Sequence, residues 1–163
     1  MIQLRHVQMQ DAEQMLGIYA PYILENVVSF EIKLPTIEEF QERIKNYTSK
    51  YPWLVAEEND RIIGYAYAST YREREAYKYC VETSVYVANE AQRKGVAKKL
   101  YDQLFEELKK LELHQAFAVI TLPNDKSVAF HAACGFVSFA TFPEVGFKFN
   151  QWHDVHWMRK VIG

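Results

Sequence analysis

Residues Val81 to Val87 alternate strictly, with Val81, Thr83, Val85 and Val87 on one side and Glu82, Ser84 and Tyr86 on the other. That period of two predicts a β-strand. Beyond a turn over Ala88 to Lys94, Gly95 opens a segment carrying Leu100, Leu104, Leu108 and Leu111 at helical spacing, which predicts a helix to about Leu113. Ala116 to Leu122 is β-rich again, so the three segments form a β-α-β unit. Such a unit aims the first N–H groups of the helix, and the positive end of its dipole, at one point beyond the strand. An anion fits there. Gly95 permits close approach to the main chain, Ala97 keeps the helix surface low, and Arg93, Lys94 and Lys98 supply positive charge suited to a diphosphate. A solvated basic helix start after a capping turn fits the same residues, and local physics leaves both readings open.

The rest of the chain predicts a mixed α/β fold. Ile2 to Val7 reads as a strand, and Asp11 as the cap of a helix carrying Met15, Leu16, Ile18 and Tyr19, which Pro21 is expected to kink or break. Thr36 and Glu39 have capping-box spacing ahead of Phe40, Ile44 and Tyr47. Trp53 to Glu57 and Ile62 to Thr70 flank Asn59-Asp60 as an antiparallel hairpin. Asn124 caps a short helix ending at Gly135, and the aromatic tail from Phe136 to Lys160 is strand-like.

No linker, repeat or low-complexity tract divides the chain, so one domain over residues 1–163 is expected. With 49% hydrophobic and 25% charged residues, it has the balance of an ordinary soluble domain. A net charge of -2 gives no basic excess for nucleic acid or an anionic membrane. No apolar run is long enough to span a bilayer and no apolar leader is visible, so the expected compartment is the cytoplasm. Cys80 and Cys134 stand far apart without metal-ligand spacing, which predicts free thiols and no metal.

Gln92, Gly95 and Ala97 complete a segment that resembles the Gln/Arg-x-x-Gly-x-Gly/Ala motif of the GCN5-related N-acetyltransferase (GNAT) superfamily. The resemblance implies a mixed, mostly antiparallel sheet flanked by helices, with a V-shaped splay between the two central strands. It also implies acetyl-CoA as cosubstrate. The pyrophosphate would lie on the loop and helix start from Arg93 and Lys94 through Gly95, Val96, Ala97 and Lys98, and the pantetheine arm along main-chain groups of Val85, Tyr86 and Val87. Asn124, followed by Ser127, Ala129 and Gly135-Phe136, resembles the later superfamily segment whose asparagine contacts the cofactor.

A closer resemblance covers nearly the whole chain. Ser29-Phe30-Glu31, Tyr51-Pro52-Trp53-Leu54-Val55, Gly64-Tyr65-Ala66-Tyr67-Ala68, Tyr71-Arg72-Glu73-Arg74, Val81 to Val87 and Glu144-Val145-Gly146-Phe147-Lys148-Phe149 follow, in order, the blocks of the phosphinothricin and methionine sulfoximine acetyltransferase branch. This implies a small amino-acid-like amine as acceptor and a homodimer. Phe30, Glu31 and Tyr77 match positions that close the branch's substrate pocket; for Phe30 and Tyr77 a core role is equally open.

Amine acetylation needs a neutral nitrogen, so a proton must be accepted. Glu82, a carboxylate in an otherwise apolar strand, is the candidate base; an exposed or arginine-paired glutamate is its alternative. The departing thiolate must gain a proton, and His131, a candidate donor or relay, stands four residues before Gly135-Phe136, where many superfamily members carry tyrosine and the branch carries histidine; a surface helix histidine, with water protonating the thiolate, is its alternative. Arg72 and Arg74 offer bidentate donors for acceptor carboxylates, or form a solvated charged loop with Glu73 and Glu75. Two other functions fit the cradle: acetylation of a protein N-terminus or lysine, and non-catalytic acetyl-CoA binding.

Overall fold

A computed structural model describes all 163 residues. Seven strands form one sheet: β1 (Gln3–His6), β2 (Trp53–Glu58), β3 (Arg61–Thr70), β4 (Cys80–Val87), β5 (Gln115–Thr121), β6 (Val137–Lys148) and β7 (Gln151–Val161). Their spatial order is β1-β2-β3-β4-β5-β7-β6. Only β4 and β5 run parallel, because a helix must return the chain between them. That parallel pairing is short, running from Cys80 opposite Gln115 to Glu82 opposite Phe117. Beyond Glu82 the two central strands part, giving the expected splay.

The helices are α1 (Ala12–Leu24), α2 (Ile37–Thr48), α3 (Val96–Leu108) and α4 (Asp125–Ala133). On one face of the sheet α1 and α2 cover a layer of aromatics: Tyr65 and Tyr67 stack with Trp53, and Phe40 of α2 meets Trp53 and Tyr65 edge-on. On the opposite face lie α3 and α4, where Tyr101 of α3 reaches Thr83 of β4. Leu100, Leu104 and Leu108 are fully buried on the inner stripe of α3. Truncating one of them to Ala would cost about 2–5 kcal/mol.

Local signals place several elements as expected. Thr36 accepts from the Glu39 N–H at 3.1 Å and Glu39 returns a bond to Thr36 N–H at 2.9 Å, a complete capping box worth about 1 kcal/mol. Asn59 and Asp60 both take positive φ in the two-residue turn between β2 and β3. Asn124 accepts from Ser127 N–H and caps α4.

Three expectations are corrected. Asp11 does not cap α1: its own backbone is helical, and its carboxylate turns back to Arg5 at 2.8 and 2.9 Å and to the Gln8 N–H at 2.7 Å. Pro21 does not break α1. The helix runs on to Leu24 because Ile23, beyond the proline, is buried, and the Tyr22 hydroxyl donates to the Val87 carbonyl at 2.7 Å. Finally, α3 stops at Leu108 and tightens into a 3-10 turn over Lys109–Leu111; Leu111 is exposed, so the helical spacing overstated the buried stripe.

Candidate active site

Where β4 and β5 diverge, a cleft of about 510 Å³ opens between them. Its walls are Thr83 to Val87 on one strand and Ala118 to Thr121 on the other. From Thr83 onward the β5-facing edge of β4 has no partner strand, so its backbone groups are open to a ligand's amides. At the wide end stands the start of α3. Gly95 is its N-cap, at φ 75° with no side-chain cap, and nothing lies within 4 Å of where a Cβ would sit. The first-turn N–H groups of α3 therefore face the cleft unpaired.

Of the residues expected to bind cofactor, Val85, Tyr86, Val87, Arg93, Gly95, Val96, Ala97, Lys98 and Asn124 line this cleft; Lys94 does not. Lys98 is already engaged, with both carboxylate oxygens of Asp102 at 2.5 and 2.7 Å. An elongated ligand with amides along its middle and an anionic end fits this shape, as acetyl-CoA requires. Sequence reading missed Tyr22, Thr83, Tyr101 and Lys126 among the lining residues, since their positions depend on long-range packing.

Glu82 sits at the vertex of the splay. It forms no ion pair and is largely withdrawn from water; burial pushes its carboxyl above the usual value, and the charge of Arg72 pulls partly the other way. The Arg72 guanidinium lies over the rings of Tyr71 and Tyr77, at 5.3 and 5.8 Å from their centroids. Tyr71 packs in turn on Phe117, the register partner of Glu82. Arg72, Tyr77 and Glu82 are thus brought together. Arg74 precedes the short turn Glu75–Tyr77 and makes no side-chain bond.

His131, on α4, is buried in the wall of the cleft. Its Nδ1 lies 2.8 Å from the Ser127 carbonyl, which only accepts, so Nδ1 carries the hydrogen and Nε2 is the acceptor. That Nε2 stands 3.1 Å from the Tyr101 hydroxyl, which is 3.3 Å from Thr83 Oγ1. Burial lowers the imidazole's pKa, favouring this neutral form, while the bond to Ser127 opposes it. Burial raises the Tyr101 pKa, so the phenol stays protonated.

Phe30 and Glu31 form a second group, joined to Arg72 and Tyr77 by no hydrogen bond or ring contact. Glu31 takes both guanidinium nitrogens of Arg43, at 2.7 and 3.0 Å, and the Tyr19 hydroxyl. Burial alone would raise its carboxyl; Arg43 and Tyr19 outweigh that and hold it below the usual value. Buried Lys148 donates to the Ser29 carbonyl at 2.6 Å, tying the β6–β7 hairpin to this loop. Glu31 is therefore occupied by structural partners.

A parallel–antiparallel sheet split at its centre, with a helix start at the wide end of the split, defines an acyl-CoA-dependent transferase of the N-acetyltransferase type. The acetyltransferase (GNAT) domain family matches residues 4–157. The chain is 35% identical over 159 residues to a phosphinothricin N-acetyltransferase of Streptomyces viridochromogenes, covering 97% of this chain and 87% of that one. It is 38% identical over 109 residues to an L-methionine sulfoximine/L-methionine sulfone acetyltransferase of Salmonella typhimurium, 67% of this chain and 64% of the other. A crystal structure of a Sinorhizobium meliloti phosphinothricin acetyltransferase in complex with AcCoA superposes with a TM-score of 0.95 at 35% identity, over 99% of this chain and 89% of its own. The chain belongs to the GNAT acetyltransferase family, and acetyl-CoA is its donor. No helix is long and apolar enough to cross a membrane.

Proposed function

We propose that this enzyme transfers acetyl directly from acetyl-CoA to the amino group of a small amino-acid-like acceptor of the phosphinothricin, methionine sulfoximine or methionine sulfone type. The observation that carries it is Glu82, a carboxyl largely withdrawn from water and without an ion-pair partner at the vertex of the splay, next to Thr83 of the cleft wall and within the field of Arg72. Acetyl-CoA supplies an activated thioester. Glu82, raised toward neutrality, accepts the proton that the acceptor's ammonium must lose, directly or through water. Arg72 and Arg74 hold the acceptor's carboxylate, and Phe30 and Tyr77 wall its pocket.

His131 serves the departing thiolate through Tyr101 rather than directly. Neutral His131 holds the Tyr101 hydroxyl in place; as the C–S bond breaks the phenol gives its proton to the sulfur and regains one from the acetylated nitrogen, which loses its second proton in the same step. Main-chain groups of Val85, Tyr86 and Val87 bind the pantetheine arm, and the N–H groups from Val96 to Lys98, with Arg93, bind the pyrophosphate. Lys94 adds only diffuse charge, and Asn124 fixes the α4 start beside the cofactor.

Residues 1–163 act as one domain, a reading supported by the single sheet. A homodimer is part of the proposal, supported by the exposed side chains of Phe139, Phe142, Phe147 and Trp152 on the β6–β7 hairpin. Cytoplasmic residence and a role in resistance to such amines complete it. The decisive experiment measures thiol release from acetyl-CoA with phosphinothricin, methionine sulfoximine, methionine sulfone and the standard amino acids. Turnover with any of the first three is expected; acetyl-CoA binding with no turnover on any of these amines overturns the proposal and favours non-catalytic binding.

A further inference from the structure

Two lips frame the wide end of the cleft: the turn leading into α3 and the start of α4. They are bridged. Lys126, the second residue of α4, extends across and donates from Nζ to Gln92 Oε1 at 2.8 Å. Gln92 is anchored from below, its amide nitrogen reaching Asn89 Oδ1 at 3.1 Å and the Tyr22 hydroxyl at 3.4 Å. Both bridge residues line the cleft.

Charge bookkeeping at this end is uneven. Lys98, on the α3 lip, is matched by Asp102 at 2.5 and 2.7 Å. Arg93 pairs with no carboxylate, and Lys126 meets only the neutral oxygen of Gln92. Arg93 and Lys126, the two cleft-lining cations without a carboxylate partner, thus come from opposite lips of the end where the N–H groups of α3 are unpaired. A neutral amide acceptor is a weaker partner for an ammonium than a phosphate oxygen, and trading one for the other turns a bond with one charged partner into an ion pair.

We infer that Lys126 is a donor-binding residue: it leaves Gln92 and closes from the α4 lip onto a phosphate of acetyl-CoA, clamping the phosphate-bearing arm against the start of α3. The inference rests on acetyl-CoA as donor, which turnover by the wild-type protein checks separately. It assigns Lys126 no part in the chemistry at Glu82, so its effect belongs to donor KM and not to kcat.

The test is steady-state kinetics of Lys126→Ala and Lys126→Arg with three donors: acetyl-CoA, acetyl-dephospho-CoA and S-acetylpantetheine, which lacks all the phosphates. For Lys126→Ala the KM for acetyl-CoA should rise about 3- to 10-fold, with kcat within about twofold, as for loss of one exposed charge-assisted contact. Lys126→Arg should stay within about twofold of wild type. With S-acetylpantetheine the alanine variant should match wild type. A penalty kept with acetyl-dephospho-CoA assigns Lys126 to the diphosphate, and one lost there assigns it to the 3′-phosphate. An unchanged acetyl-CoA KM, or an equal penalty with S-acetylpantetheine, overturns the inference. Because Lys126 is exposed, both variants should retain wild-type stability.

Discussion

A Cβ placed on Gly146 would lie 2.1 Å from Cε2 of the Phe30 ring. Phe30 thus occupies space on the β6–β7 hairpin that only a glycine leaves open, and the loop carrying it is held to the same hairpin by Lys148. The ring is 37% exposed, so it can swing away when displaced. Gly146→Ala should therefore cost little stability, under about 1 kcal/mol, while moving one wall of the proposed acceptor pocket. The expected outcome is a several-fold rise in acceptor KM with acetyl-CoA KM unchanged. Equal KM values for both substrates in mutant and wild type would remove Phe30 from the pocket.

The Glu31–Arg43 pair makes a prediction for stability in acid. Glu31's folded pKa is depressed, so its contribution is complete above the ordinary value of 4.5 and is lost as pH falls through the folded value. Arg43→Met removes the main depressing partner and leaves a half-buried carboxylate. Chemical denaturation near neutral pH should show a loss of about 1–2 kcal/mol. The difference between variant and wild type should shrink below pH 4.5. A difference that stays constant through that range would show that the pair does not titrate with unfolding.

How much of this was legible in the sequence depends on range. The β4-turn-α3 segment, the Thr36 capping box and the Asn59-Asp60 turn were readable because each is decided by neighbours in the chain. Gln92, Gly95 and Ala97 marked the cleft for the same reason. Asp11 departs from the expected cap because Arg5 and the Gln8 N–H, just upstream, take its carboxylate, and Pro21 does not end the helix because Tyr22 is tied to Val87, 65 residues on, and Ile23 is buried. Contacts such as Lys148 to Ser29, 119 residues apart, leave no local signal. Nor could spacing show that Glu31 is bound by Arg43, whereas the Lys98–Asp102 pair has the helical i, i+4 separation that flags it in the sequence.

His131 gives a second acid prediction in a separate window. Its folded pKa is depressed by burial, so stability is complete above the imidazole's ordinary 6.5 and declines as pH falls through the folded value. Loss therefore begins before the carboxylates titrate. Thermal unfolding followed from pH 7.5 downward should show Tm falling below pH 6.5 in wild type. In His131→Asn, whose side chain does not titrate, that first decline should be absent. An identical decline in both would mean that another group carries it.

Glu82 and Arg72 make the sharpest claim about chemistry. Glu82→Gln removes the proposed proton acceptor and should lower kcat by about a hundredfold or more, the usual scale for a general base. In wild type the acid limb of kcat/KM should report the Glu82 carboxyl, raised by burial and restrained by Arg72. Removing a nearby positive charge makes the carboxylate harder to form. Arg72→Ala should thus shift the acid limb to higher pH, beyond any rise in acceptor KM, whereas Arg72→Lys should leave it near the wild-type position. A limb that does not move in Arg72→Ala would separate Arg72 from the titrating group, and one that survives in Glu82→Gln would remove Glu82 as the base.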